Sequence, residues 1–144
     1  MSAKQTKEIV LAHGHGNIQA VHPSTLMFTK EKQLSKTGDC IVGVAADKAV
    51  ADLSQELKEK LRKPNAKLTI TIEADGSTQQ INASGSPKLI LTNHTDMVIR
   101  KSAYISDRTL AIHADKSSED LPRRFIEKLK NSQQKIKITL SVHA

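Results

Sequence analysis

The sequence predicts a mainly β (α+β) protein: a pseudo-twofold β-sandwich or barrel of about ten strands with two amphipathic helices. Three observations carry this. Short segments rich in Ile, Val, Leu and Thr recur along the chain, several of them alternating apolar and polar residues. Only two stretches show the spacing of a surface helix. The second half of the chain repeats the first.

The repeat is plainest in Ala46-Asp47-Lys48 and Ala114-Asp115-Lys116. Residues 46–74 lie on 114–142 at an offset of 68 without a gap, with 11 identities in 29 positions. Average composition would give roughly two. The identities are Ala46, Asp47, Lys48, Asp52, Leu53, Glu59, Lys60, Leu61, Lys67, Ile70 and Thr71. Upstream the offset is 71, so that Gly14 meets Gly85, Ile18 meets Leu89 and Lys30 meets Lys101. His22 and His94 stand one place out of this register, a step that a small bulge would correct. One domain, 1–144, with internal repeats 5–75 and 76–144, is the expected organisation.

Each copy reads in the same order. EIVLA and STQQINAS form a first strand. IQAV and KLILT form a second, after turns at Gly14 and at Gly85-Ser86-Pro87. LMFTK and MVIRK form a third, and CIVGVAA and TLAIHA a fourth, rich in aliphatic and β-branched residues. A helix follows, with Leu53, Leu57 and Leu61 as its apolar stripe in the first copy and Leu121, Phe125, Ile126 and Leu129 in the second. Asp52 and Asp120 are the expected N-caps, and Pro122 fits a first turn, where its missing N–H costs nothing. Pro64-Asn65 and Asn131-Ser132 end the helices. KLTITIEA and KIKITLSV close each copy as alternating strands.

With 144 residues, 38% hydrophobic and 26% charged, the chain is long enough to bury a core without a staple. Its apolar runs fall short of the roughly 20 residues of a membrane span. MSAKQTKEIV lacks the apolar centre of a signal peptide, and a single cysteine, Cys40, forms no internal disulfide. A cytoplasmic protein with no membrane attachment is expected. The net charge is +7. Residues 1–75 contribute 11 − 9 = +2 and residues 76–144 contribute 11 − 6 = +5. Such an excess favours polyanionic partners through counterion release, and serves solubility equally well. With two Phe, one Tyr and no Trp, a row of stacking rings is not available for nucleic-acid bases.

Several constellations bear on chemistry. His13 and His15, two apart, would share a face of a strand and with His22 or His94 could ligate a metal, but the surrounding glycines fit a surface turn better. No metal is expected. Cys40 with His22 or His94 as base would make a nucleophile, but a lone Cys opening an apolar strand is more commonly a small buried hydrophobe. Walker, dinucleotide-binding, zinc-ribbon, HExxH and Ser-elbow patterns do not occur, and no cofactor is expected. The duplicated polar set says more: Lys30 and Lys101, Asp39 and Asp107, Asp47 and Asp115, Lys48 and Lys116, and His22 and His94, with Thr25, Asp96, Arg100 and Arg108 beside them. Their structural role would be turn capping and Asp–Lys pairing across the sheet. Their functional role would be a polar cleft along the dyad that binds an anion, a phosphate or a nucleic-acid backbone.

The segments His22-Pro23-x-Thr25, Thr29-Lys30, Gly38-Asp39-Cys40-Ile41-Val42-Gly43-Val44 and Ala46-Asp47-Lys48 form a recognisable series. It continues with Gly85-Ser86-Pro87, Thr92-x-His94-x-Asp96-Met97-Val98-x-Arg100-Lys101-Ser102, Asp107-Arg108-Thr109-Leu110-Ala111-Ile112 and Ala114-Asp115-Lys116. Over nearly its whole length the chain resembles the archaeal domain of unknown function 371 family. The resemblance implies a mainly β fold and an archaeal cytoplasmic setting. It carries no catalytic role to any residue.

Two functions compete. The leading one is a non-enzymatic binding module with RNA or the ribosome as partner, resting on the charge and on Arg100, Lys101, Arg108, Arg123, Arg124, Lys128 and Lys130. The alternative is a small enzyme or anionic-metabolite binder with its site at the dyad. There His22 or His94 would act as acid–base, Asp39 or Asp107 would orient it, and Lys30, Lys101, Arg100 and Arg108 would hold a small anionic ligand.

Overall fold

Alternating apolar residues commit four long segments to one sheet in the computed structural model, which describes residues 5–144. These are β1 (Gln5–His13), β4 (Lys67–Ala74), β5 (Ser77–Ser84) and β8 (Lys135–His143), in the order β1-β8-β4-β5, all antiparallel. β4 shows the pattern plainly: Leu68, Ile70, Ile72 and Ala74 are buried, and Thr69, Thr71 and Glu73 between them are partly exposed.

A second sheet holds the shorter strands β2 (Thr25–Thr29), β3 (Ile41–Gly43), β6 (Asp96–Arg100) and β7 (Thr109–Ala111), in the order β3-β2-β6-β7. β2 and β6 pair antiparallel at its centre, and β3 and β7 lie parallel to them on the outside. Single bridges, His13 to Val44 and Ser84 to Ile112, tie the outer strands of the first sheet to the segments that follow β3 and β7.

Helices α1 (Gln55–Leu61) and α2 (Arg123–Leu129) are two turns each, and each follows a 3-10 turn, Val50–Asp52 or Ser118–Asp120. Leu57 and Leu61 of α1, and Phe125, Ile126 and Leu129 of α2, join Phe28, Leu26, Met97, Ile99, Ile138 and Leu140 in one core. Each such side chain taken out of water contributes roughly 1.5–3 kcal/mol. The helix ends are closed by loops from the opposite half. The Leu129 carbonyl accepts the His15 N–H at 2.9 Å, and the Leu61 carbonyl accepts the Ser86 N–H at 2.9 Å. Both approaches need a glycine. A Cβ on Gly14 would lie 2.3 Å from the Leu129 oxygen, and one on Gly85 2.1 Å from the Leu61 oxygen.

Three expectations are corrected. Among the described residues there are eight strands rather than about ten. IQAV and KLILT bury Ile18, Ala20, Leu89 and Leu91, which produces the strand-like alternation. Ala20 (φ 51°) and Leu91 (φ 57°) sit in the left-handed region, so neither segment joins a ladder. Ser54, not Asp52, caps α1, its Oγ accepting the Leu57 N–H at 3.2 Å. Asp52 and Asp120 instead close the preceding 3-10 turns, accepting from the Ala49 and Ser117 N–H groups at 2.9 and 2.8 Å.

Candidate functional site

The repeated Asp-Lys pairs complete the open sides of edge strands. Asp47 Oδ1 accepts the Leu11 N–H at 2.9 Å, and the Asp47 N–H donates to the Leu11 carbonyl at 2.9 Å. Asp115 makes the same pair of bonds with Asn82, both at 2.9 Å. Lys48 Nζ donates to the Ile9 carbonyl at 3.0 Å and Lys116 Nζ to the Gln80 carbonyl at 2.8 Å. These side chains therefore occupy the hydrogen-bonding positions of a neighbouring strand, and the edges of β1 and β5 are blocked there.

Lys30 and Lys101 are also used internally, by Asp52 at 3.0 Å and Asp120 at 2.6 Å. The Ala49 N–H, then Lys30, hold the Asp52 carboxyl below its ordinary range. Lys101, then the Ser117 N–H, hold Asp120 down to about 2. The carbonyls of Asp39 and Asp107 receive the N–H groups of Val21 and Thr92 at 2.9 and 3.2 Å.

The partner of His22 across the repeat is Asn93, not His94. His22 Nδ1 accepts the N–H groups of Ser24 and Thr25, both at 3.1 Å. Asn93 Oδ1 accepts those of Thr95 and Asp96 at 2.9 and 2.8 Å. The imidazole is thus a turn cap, while His94 is exposed. The imidazole of His15 makes a similar local bond, Nδ1 accepting the Asn17 N–H at 3.0 Å, and His13 is exposed on β1. Burial pushes the Cys40 thiol up, the reverse of what a thiolate nucleophile requires.

With these residues assigned to the framework, the positions at which the two halves differ stand out. Arg100 corresponds to Thr29, Asp96 to Thr25 and Arg108 to Cys40. They meet at the centre of the second sheet, where Thr25 pairs with Arg100, Met27 with Val98 and Thr29 with Asp96. Strand alternation puts these six on one face, opposite Leu26, Phe28, Met97 and Ile99; Met27, Val98 and Thr29 at its middle are themselves buried.

Arg108 Nη1 bonds Asp96 Oδ2 at 3.0 Å and lies 3.9 Å from the Met27 sulfur. Arg100 is held by two hydroxyls, Nε to Thr109 Oγ1 at 2.9 Å and Nη2 to Ser106 Oγ at 3.2 Å, and has no carboxylate partner among the described residues. Its guanidinium stands 4.9 Å from the centre of the exposed Tyr104 ring. Burial, then the charge of Arg108, lowers the Arg100 pKa. Of the two guanidiniums only Arg108 has a carboxylate partner among the described residues, which leaves the charge of Arg100 able to take an anion.

The structure thus brings together Thr25, Asp96, Arg100 and Arg108 from the expected set, and adds Tyr104, Ser106 and Thr109. The signal for the additions was modest: a lone Tyr four residues after Arg100, and a divergence between otherwise matching copies.

The domain of unknown function 371 family model matches residues 10–143. The chain belongs to this family. An uncharacterised protein of the archaeon Methanocaldococcus jannaschii is 48% identical over 128 residues, covering 89% of this chain and 94% of the relative. Three cavities lie among the described residues of the domain of unknown function 371 chain without taking in Arg100 or Arg108. One of about 350 Å³ lies among Leu11–His13, the β4–β5 hairpin and Lys135–Lys137. A second, about 340 Å³, opens between the start of β5 and α2. A third, about 250 Å³, is lined by Lys67, Asn82–Ser84, His113 and Asp115. Among the described residues of this family member, no helix is long and apolar enough to cross a membrane.

Proposed function

We propose that this protein is a non-enzymatic RNA- or ribosome-associated binding module, built from two duplicated halves, residues 5–75 and 76–144. The observation that carries the reading is the juxtaposition of Arg100, Arg108 and Tyr104. Guanidiniums bind phosphate oxygens through paired N–H groups. An exposed ring beside them gives one nucleotide base a stacking surface, so a row of aromatics is not required. The net charge of +7 favours approach of a polyanion.

The competing reading, a small enzyme or anionic-metabolite site at the same place, has less behind it. The three cavities described lie elsewhere, His22 Nδ1 is engaged by two main-chain N–H groups, and burial pushes the Cys40 thiol up. The test is filter binding of single-stranded RNA at two salt concentrations, with the unmodified chain and with Arg108→Ala and Tyr104→Ala. Affinity that falls with salt and falls again in both variants supports the reading. No measurable affinity at low salt ends it.

A further inference from the structure

A further cavity lies away from this patch, between β5 and α2. Ser77, Thr78 and Gln79 line one side, and Arg124, Phe125 and Lys128 the other. The corresponding place in the first half is occupied by the protein's own carboxylate. Glu8, at the position of Gln79 (79 − 71 = 8), is mostly buried there. Its Oε1 accepts the Ser54 N–H at 2.9 Å and its Oε2 accepts Lys48 Nζ at 3.0 Å.

In the second half this internal anion is missing. Gln79 replaces Glu8, Arg124 replaces Glu56 (124 − 68 = 56), and Thr78 replaces Lys7. Lys128 and Lys60 match. Around Glu8 the cation Lys48 is a direct partner, whereas the cavity has two cations, Arg124 and Lys128, with the Asp75 carboxylate near Lys128. Lys128 Nζ is held by Ser77 Oγ at 2.6 Å and the Asp75 carbonyl at 3.3 Å, with the Asp75 carboxylate at 3.9 Å. Arg124 makes no hydrogen bond or ion pair among the described residues. The Ser77 hydroxyl, the Gln79 amide and the Arg124 guanidinium therefore border a space that holds a carboxylate in the other half.

We infer that the β5–α2 cavity binds a small phosphorylated ligand, its phosphate taken by Arg124, Lys128 and the Ser77 hydroxyl and its apolar portion lying on Phe125. About 340 Å³ is enough for a phosphate with a compact organic group, at the small end of ligand pockets. Two cations on the cavity wall suit a phosphate better than a single carboxylate, even with Asp75 beside Lys128.

The test is an amide-resonance titration of the isotope-labelled chain with inorganic phosphate, with acetate at equal ionic strength as the carboxylate arm. Phosphate should shift the amides of residues 77–79 and 124–128 saturably, and acetate should act at least about tenfold more weakly. Gln79→Glu and Arg124→Glu give the cavity the residues that the first half already accommodates, so both are expected to fold. Each should weaken phosphate binding about tenfold or more. Arg108→Ala should leave it unchanged, which separates this site from the RNA reading. Shifts that do not saturate, that spread over the basic surface, that acetate reproduces equally, or that persist undiminished in both variants would overturn the assignment.

Discussion

Asp115 serves Asn82 as a strand neighbour would: its carboxylate accepts the Asn82 N–H and its own N–H donates to the Asn82 carbonyl, both at 2.9 Å. Asp47 does the same for Leu11. One side chain thus replaces part of a missing strand, twice. Asp115→Ala and Asp47→Ala should each lower stability by about 1 kcal/mol in urea unfolding. The double variant should also self-associate in analytical ultracentrifugation, since two edges are then open for pairing. A double variant that stays monomeric would show that other features protect the edges.

Acid should act through the Asp120–Lys101 pair. The folded-state pKa is depressed, from an ordinary 3.8 to about 2. Its contribution is therefore complete above about pH 4 and disappears as pH falls toward 2. Asp52 follows in the same direction. The Asp120 side chain is about a third exposed, so solvent screening keeps its share to about 1 kcal/mol or less. Asp120→Asn should flatten the stability–pH curve in that window and leave it parallel to the unmodified chain above pH 5.

Gly85→Ala should be among the costliest single changes in the chain. The new Cβ would sit 2.1 Å from a main-chain oxygen at the end of α1, which cannot rotate away. A loss of about 3 kcal/mol is expected, and Gly14→Ala should match it. Gly76→Ala is the control. It has positive φ but open space, so it should cost only about 1 kcal/mol by thermal unfolding.

If RNA lies across the second sheet, Arg108→Ala and Tyr104→Ala should fail differently. Removing the cation should reduce the slope of log affinity against log salt by about 0.7. Removing the ring should lower affinity by about 1–3 kcal/mol with the slope unchanged. Equal slopes in all three proteins would remove Arg108 from the phosphate contacts.

The mainly β fold with two helices was legible because burial writes itself into alternation along β4 and β8 and into the leucine stripe of α1. Burial also writes alternation into irregular backbone. Ile18 and Ala20 read as a strand, and only the left-handed turn at Ala20, which depends on the Val21–Asp39 hydrogen bond, says otherwise. The candidate site was half legible for a similar reason. Arg100 and Arg108 were named as cations, but their proximity depends on the register of β2 against β6 and on the turn after Tyr104. Repetition marked Asp47, Lys48, Asp115 and Lys116 as important without showing that their partners are main-chain atoms of β1 and β5. Exposed cations were overcounted too: Arg123, expected to face RNA, spends its guanidinium on the carbonyls of Gln19, Ala20 and Leu121.

β1 pairs with β8 along its whole length, from Gln5 with His143 to His13 with Lys135. During synthesis the strand made early therefore waits for one made more than a hundred residues later. The first sheet cannot assemble until residues 135–143 have left the ribosome, and β4 waits beside the same gap for the same partner. Completion of the fold thus waits on β8, and a nascent chain stalled before that strand would present two apolar ribbons to chaperones.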